Sequence, residues 1–596
     1  MSGVIEENSG MKGLVPPTVV AAAVVAAESH PWRTIVVRKK KVSKFDEYIQ
    51  KSGLEPKQYQ REGVEFCLRR EQPQPPANNT PPILGGIIAD EMGLGKTIVM
   101  MGLILANIAA FRRTLIVVPV ALIAQWVAQI KKTIIDTGVK SDLVVVVYHG
   151  FAGKRRVVLS EGGDGMVWCH RPPKNGGGGR APAAIDIVIT TYGCVAMEEP
   201  ASVSKKKPLN VLNAPPKATP ALSLLTFRAN RVIFDEAHHL RNKSSRVFKG
   251  AMRVVGGREA SVWIVTGTPI QNKISDLKSL CYVLGFKMCD VDTEEKRKAI
   301  RDEYVLRRTR VSVGMVVAGG EEEAGAGEIQ CAPRLQSLKH YKSQVPWTSE
   351  SELDLSREIH RSARNTTDRA ERLKLYTRMR QMCVWPALLL GRGGGGGSLV
   401  DDATHGLSMD DFQVAVSKQS KMDRVVATMV SEAEVGSAAG AGRKSIVFCH
   451  FRREMTQLRD MLLRSSGGAA VGDGEVAIID GTVSAKERAR ILAAEPTVLI
   501  LQIRTCSEGL NLQSYSDVYF VSPHWNPCVE DQAIARCYRL GQTSQVRVFR
   551  FYMSDFVGEI DAVVAEDAEC ISTLDHKCEE IQERKRVLCN EFLCGV

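Results

Sequence analysis

Residues 87–98 read Ile-Ile-Ala-Asp-Glu-Met-Gly-Leu-Gly-Lys-Thr-Ile. An apolar run leads into a loop containing glycine, and a helix begins near Thr97. A nucleotide phosphate requires this arrangement. Glycines let backbone N–H groups approach the oxygens, and the helix N-terminus adds partial positive charge. Lys96 is expected to reach the β and γ phosphates, and the Thr97 hydroxyl to hold Mg²⁺. Asp90, Gly93 and Gly95 complete the candidate loop, with Asp90 standing where the strict pattern has its first glycine.

About 140 residues downstream, 231–238 read Arg-Val-Ile-Phe-Asp-Glu-Ala-His. A hydrophobic strand here delivers two adjacent carboxylates to its C-terminal end, where ligands bind in parallel sheets. Asp235 suits Mg²⁺ through a water, and Glu236 suits polarising the water that attacks a γ-phosphate.

Around these motifs the chain alternates strands and helices. Apolar runs recur at 85–88, 114–119, 143–148, 185–190, 231–234 and 262–265, and again at 445–448, 476–479, 498–501, 518–521 and 546–549. Continuous apolar strands between helices predict parallel sheets covered on both faces. Two segments break the rhythm and are expected to be surface insertions: 150–184, with Gly176–Gly179, and 196–226, with five prolines. The expected organisation is a flexible basic lead-in over 1–45, a first lobe over 46–310, and a helical insertion with a Gly-rich linker (Gly393–Gly397) over 311–417. A second lobe follows over 418–556, and a helical tail over 557–596. The stretch 351–383 reads as helix.

Composition sets the outer bounds. Hydrophobic residues make up 44% and charged residues 24% of 596, which excludes wholesale disorder, collagen and a disulfide miniprotein. The longest apolar candidate, Val19–Ala27, falls short of the ~18 residues that a membrane span needs, and it follows an acidic start. An intracellular protein, not secreted and with no membrane partner, is expected. The net charge of +12 permits a polyanion partner without identifying one. Arg38–Lys41 and Lys205–Lys207 are short basic runs that read as import signals or as solvated stretches. The 15 cysteines are scattered. Cys570, Cys578, Cys589 and Cys594 with His576 lack paired zinc-knuckle spacing, so helical packing is the favoured reading.

Asp-Glu-Met-Gly-Leu-Gly-Lys-Thr (90–97) followed by Asp-Glu-Ala-His (235–238) resembles the Swi/Snf family of ATP-dependent DNA translocases in helicase superfamily two. Further blocks occur in family order. They are Lys57–Val64 with Gln60 as the adenine-contacting glutamine, Val117-Val118-Pro119 with Gln125-Trp126, Thr190-Thr191-Tyr192, Thr266–Asn272 and Leu306-Arg307-Arg308-Thr309. In the second half come Ile446-Val447-Phe448, Ile479–Thr482, Glu508–Gln513, His524–Pro527 and Asp531–Gln542. The resemblance covers about 53–555. It implies an α/β fold with two RecA-like lobes, ATP and Mg²⁺ in the cleft, and double-stranded DNA as partner.

By the same resemblance Arg536 and Arg539 act on the γ-phosphate from the second lobe, Gln532 joins the nucleotide contacts, and Thr190, Thr191, Gly481 and Thr482 touch DNA phosphates. Cys506-Ser507 replaces the usual Gly-Gly. The wording of the last blocks resembles the repair and transcription-termination branch, many of whose members carry a zinc RING. Here 384–448 holds no cysteine and one histidine, His405, so no RING is expected there.

The resemblance implies displacement or remodelling of DNA-bound proteins such as nucleosomes or the transcription and repair machinery. The site of action is then the nucleus, or a viral replication site if the chain is viral. Two rival readings are a strand-separating helicase and a non-hydrolysing DNA-binding scaffold.

Overall fold

The computed structural model describes residues 31–72, 83–140, 143–149, 156–159, 185–198, 224–256, 260–310, 312–313, 337–390, 408–438, 442–465, 475–506, 510, 512–539, 541–556 and 572–594. Two sheets organise them. The first contains β1 (Gly85–Ile88), β2 (Thr114–Val118), β3 (Val145–Tyr148), β4 (Arg156–Leu159), β5 (Ile187–Thr191), β6 (Arg231–Asp235), β7 (Ser261–Val265) and β8 (Val305–Leu306), in spatial order β4-β3-β5-β2-β6-β7-β1-β8. The second contains β9 (Leu338–Val345), β10 (Ser445–Cys449), β11 (Val476–Ile479), β12 (Val498–Gln502), β13 (Asp517–Phe520) and β14 (Val546–Met553), in order β11-β12-β10-β13-β14-β9. Every pairing is parallel except β3 with β4.

The apolar runs explain the layering. All residues of β2, β5, β6 and β7 are buried. Alternate side chains therefore enter two cores, one holding Val64, Ile104 and Trp126, the other Val188, Phe248 and Leu280. Register then places the chemistry. Ile88 pairs with Val265, which pairs with Asp235, so the phosphate loop, the paired carboxylates and Thr266 leave the sheet at one level. At the opposite end of this sheet, Arg231 and Glu71 form a wholly buried ion pair. Glu71 also accepts from Ser261 (3.0 Å), Trp263 (3.1 Å) and Asn107 (2.7 Å). Such a pair persists where its remaining lone pairs are satisfied, as they are here.

Three stretches differ from the sequence expectation. Pro31–Lys51 is a helix, where 1–45 was expected to be flexible. Val42, Phe45, Tyr48 and Ile49 recur at helical spacing and enter the first core. Residues 1–30, which hold Val19–Ala27, lie outside the described residues. Within 311–417, expected to be helix and linker, Leu338–Val345 is the edge strand of the second sheet, parallel to β14. Its Lys339, His340, Lys342 and Ser343 gave no apolar signal, because an edge strand keeps one side in water. Arg156–Leu159 forms β4 within an expected insertion. The stretch 351–383 is two helices, Glu350–Asn365 and Arg369–Val384, the second capped by the Asp368 carboxylate.

The last helix, Leu574–Cys594, ties the two sheets together. Leu574 and Cys578 join the core of the second, and Phe592 and Leu593 join the core of the first. Asp575 is buried against Lys421 and accepts from Ser522 (2.8 Å). At the other end Arg301 donates to the Phe592 carbonyl at 3.3 Å. Among the described residues no helix is long and apolar enough to cross a membrane.

Candidate active site

The phosphate loop runs from β1 into the helix Lys96–Ala106. Gly95, at its N-cap, has φ +81°, and a Cβ there would meet Gln60 Nε2 at 2.4 Å. Only glycine fits that left-handed position against that neighbour. Gln60 is buried and donates to the Leu94 carbonyl at 3.2 Å, which ties the expected adenine-contacting block to the loop. Gly93 is exposed at the loop crest, and Thr97 sits in the first turn of the helix. Lys96 Nζ donates to the carbonyls of Asp90 (2.8 Å) and Glu91 (3.3 Å). Burial lowers its pKa, against the pull of Glu236, Asp90 and Asp235.

Asp90 was expected among the nucleotide contacts, and its side chain lies elsewhere. The carboxylate is fully buried and meets Arg308 in a two-pronged ion pair, with Arg308 Nε 3.0 Å from Oδ1. Only its backbone carbonyl faces Lys96. The absent first glycine is thus replaced by a structural acid that braces the loop from behind.

Asp235 ends β6. Its Oδ2 accepts from Trp126 Nε1 at 2.8 Å, its Oδ1 from the Glu236 N–H at 3.0 Å, and its carbonyl from the Tyr192 hydroxyl at 2.7 Å. Burial, then the neighbouring Glu236 charge, raises its pKa. Each carboxylate oxygen keeps a lone pair, which fits a water-bridged Mg²⁺. Glu236 follows in a left-handed backbone conformation (φ +49°), a strained geometry for a non-glycine residue. Its Oε2 lies 3.4 Å from His238 Nδ1 without hydrogen-bond geometry. Burial raises the Glu236 pKa, but His238, Lys96 and Arg536 outweigh it and hold the group ionised.

The second sheet supplies the helix Pro527–Cys537. Asn526 caps it by accepting from the Cys528 N–H, with Pro527 in the first turn. Gln532 is buried on this helix. Arg536 lies in its last turn, close enough to Glu236 to favour that carboxylate's charge. Burial, then Arg536, lowers the pKa of Arg539. Gln542 fixes the helix end by donating to the carbonyls of Gln513 (2.9 Å), Tyr515 (3.1 Å) and Cys537 (3.2 Å). Tyr538, between the two arginines in the chain, accepts from Arg310 at 3.3 Å, and Arg310 also donates to the Met92 carbonyl at 2.9 Å, so the segment carrying the arginine pair abuts the phosphate loop.

The four candidate DNA contacts divide. Thr190 is fully buried and donates to the Tyr148 carbonyl at 2.8 Å, and Thr191 is buried and caps the short helix Tyr192–Met197. Their hydroxyls are engaged within the protein. Gly481 and Thr482 are exposed, although both the N–H (2.8 Å) and the hydroxyl (2.5 Å) of Thr482 donate to Asp480 Oδ1. Ser507 lies outside the described residues, as does Cys570. Among the described residues no cluster of His, Cys, Asp and Glu could hold a metal. Cys578 sits 3.4 Å from Arg380 and His576 pairs with Asp555 at 2.8 Å, so the two do not share a site.

Sequence reasoning quoted Trp126, Arg307 and Arg308 within blocks but gave them no role. Arg307 donates to the Ala89 carbonyl at 2.6 Å and the Gly267 carbonyl at 3.4 Å, joining β1 to the Thr266–Asn272 block. No local signal marks these residues, since Trp126 and Arg308 meet carboxylates 109 and 218 residues away and Arg307 meets carbonyls 218 and 40 residues away.

The SNF2-related domain matches residues 59–308 and the helicase conserved C-terminal domain matches residues 422–541. DNA repair protein RAD5 of Gibberella zeae is 24% identical over 85% of this chain and 56% of its own length. The DNA excision repair protein ERCC-6-like of Danio rerio is 25% identical over 80% of this chain and 33% of its own. A probable global transactivator of Orgyia pseudotsugata multicapsid polyhedrosis virus is 23% identical over 84% and 86%. The chain spans about half the length of the RAD5 relatives that it matches.

Among solved structures, the Sulfolobus solfataricus SWI2/SNF2 ATPase core in complex with dsDNA aligns over 90% of this chain and 92% of its own (19% identity, TM-score 0.31). The Pyrococcus furiosus Hef helicase domain aligns over 84% and 96% (14%, 0.45). The chain thus carries an SNF2-related domain followed by a helicase conserved C-terminal domain, and is an SNF2-related protein.

Proposed function

We propose that this protein hydrolyses ATP in a site shared by its two lobes, 46–310 and 418–556, and uses lobe opening and closing to travel along double-stranded DNA. Travel without strand separation displaces or remodels DNA-bound proteins. What supports the reading is the Arg310 bridge, from the Met92 carbonyl of the phosphate loop (2.9 Å) to the Tyr538 carbonyl (3.3 Å) between Arg536 and Arg539, which brings the arginine-bearing segment against the lobe that carries Glu236. A water-polarising carboxylate and a cationic finger on opposite walls are what γ-phosphoryl transfer to water needs.

In this reading Lys96 and the loop N–H groups hold the phosphates, Gln60 and Gln532 flank the nucleotide, and Thr97 and Asp235 hold Mg²⁺. The metal supplies charge neutralisation at the phosphates. Glu236 orients the attacking water, and Arg536 and Arg539 stabilise the developing charge. The exposed Gly481 and Thr482 meet DNA phosphates, the Thr482 N–H and hydroxyl exchanging Asp480 for a phosphate oxygen, a mode without base specificity and with steep salt dependence. Nuclear action on nucleosomes or on repair and transcription complexes is consistent with the relatives named above, and action at a viral replication site with the viral one.

The test compares ATP turnover on single-stranded DNA, duplex DNA, nucleosomes and RNA, alongside triplex-displacement and strand-displacement assays. Duplex-stimulated turnover with triplex displacement is expected. Unwinding of a plain duplex favours the helicase alternative, and absence of turnover on every substrate favours the scaffold.

A further inference from the structure

Arg310 stands where the phosphate loop meets the segment carrying the arginine pair. Its backbone N–H donates to Glu91 Oε2 at 2.8 Å, and its Nη1 lies 3.5 Å from Glu91 Oε1. Its Nη2 donates to two carbonyls, Met92 of the loop at 2.9 Å and Tyr538 of the second sheet's segment at 3.3 Å. The guanidinium lies 4.6 Å from the Tyr538 ring centroid, and the side chain is 15% exposed. Tyr538 lies between Arg536 and Arg539 in the chain. Its N–H is held by the Ile534 carbonyl at 2.8 Å, and that of Arg539 by Cys537 at 3.2 Å. One planar group thus spans from the loop crest to the backbone between the two fingers.

The geometry points to Arg310 as a positioning residue that sets the spacing between the phosphate loop and the Arg536/Arg539 pair. It acts on turnover through the fingers and adds little to nucleotide affinity. This rests on the ATPase reading above and deepens it. Guanidinium suits the task because one nitrogen of its flat, rigid fork donates to both carbonyls while the other faces Glu91 and the plane lies over the Tyr538 ring. An ammonium group makes point contacts only. Loss of the spacer lets the finger segment drift, and displacements of about 1 Å at a reacting centre cost about 10²-fold in rate.

The experiment measures steady-state ATP hydrolysis by the full chain on saturating duplex DNA, for wild type, Arg310→Ala, Arg310→Lys, Arg539→Ala, the Arg310→Ala/Arg539→Ala double variant and Lys96→Ala. Expected is a kcat for Arg310→Ala lowered by about 10- to 100-fold, with KM for ATP within about threefold of wild type. Arg310→Lys should recover part of the loss. The double variant should be slower than Arg539→Ala alone by no more than about threefold, because both act through one unit.

A raised KM at unchanged kcat, or losses that multiply in the double variant, overturns the spacer role. If Arg310→Ala fails to show a wild-type melting transition, Tyr538→Leu carries the same test, since it removes the stacking surface and keeps the charge. Its expected signature is again a kcat loss at constant KM, and its opposite overturns the proposal. Turnover abolished by Lys96→Ala but unaffected by Arg310→Ala overturns the spacer role alone. Turnover that survives Lys96→Ala overturns the ATPase reading and this inference with it.

Discussion

Trp126 Nε1 donates a 2.8 Å hydrogen bond to Asp235 Oδ2, linking a helix after β2 to the carboxylate at the end of β6. The bond favours the ionised carboxylate, while burial and then Glu236 push its pKa up. Trp126→Phe keeps a smaller aromatic ring and removes the donor, so the Asp235 pKa should rise further. The active form is the ionised one, so activity is lost as pH falls through that pKa. The acidic limb of the ATP-turnover profile should therefore move to higher pH, by about one unit. A pH–rate profile at saturating Mg²⁺ checks this.

Asp90→Gly restores the glycine that the strict phosphate-loop pattern lacks. It also strips Arg308 of its buried partner. Breaking one side of a buried pair costs about 3–5 kcal/mol, so the variant should be destabilised, with no tighter nucleotide binding. Denaturant unfolding of Asp90→Gly and of the Asp90→Gly/Arg308→Met pair measures it, and the pair should recover most of the loss.

These two residues show where sequence is legible. Lys96, Thr97, Asp235 and Glu236 lie in short strings that keep one order and one chemistry, so composition and spacing find them. Asp90 was read as a ligand because it occupies a ligand's place in the string. Arg308, 218 residues away, redirects it. Among the strands, the apolar runs announced themselves because parallel strands bury both faces. β9 did not, because Lys339, His340 and Lys342 face water along an edge. The helix Pro31–Lys51 was hard to read because its apolar spacing, Val42, Phe45 and Ile49, begins only after the basic run ending at Lys41.

Thr190→Val should lower stability by about 0.5–1.5 kcal/mol, since it removes the hydrogen bond to the half-buried Tyr148 carbonyl. Duplex affinity and its salt slope should stay at wild-type values once the variant is folded. Thr482→Ala, on an exposed turn, should do the opposite, weakening duplex binding with little change in melting temperature. Binding titrations across salt concentrations, paired with thermal melts, separate the two.

His360 is buried with Nδ1 2.7 Å from the Ser356 carbonyl and with Nε2 accepting from the Leu574 N–H at 3.0 Å. The neutral Nδ1–H tautomer satisfies both contacts, and burial lowers the pKa to about 4. Its folded value lies below the unfolded one, so its contribution is complete above about pH 6.5 and is lost as pH falls towards 4. Each unit in that window costs about 1.4 kcal/mol for this group. Because Leu574 begins the helix that ties the two sheets, acid should loosen that helix first. Hydrogen-exchange protection over 574–594, taken relative to the intrinsic rate at each pH, should fall between pH 7 and pH 5, and the pH slope of unfolding should flatten in His360→Gln.

The central claim is that both sheets contribute to one ATP site, and turnover by Arg536→Ala tests it most directly. With ATP and duplex DNA saturating, the account predicts a loss of ~10³-fold or more in kcat, comparable to Glu236→Gln, with nucleotide still bound. An Arg536→Ala protein that hydrolyses ATP at the wild-type rate, while Lys96→Ala and Glu236→Gln are inactive, contradicts it.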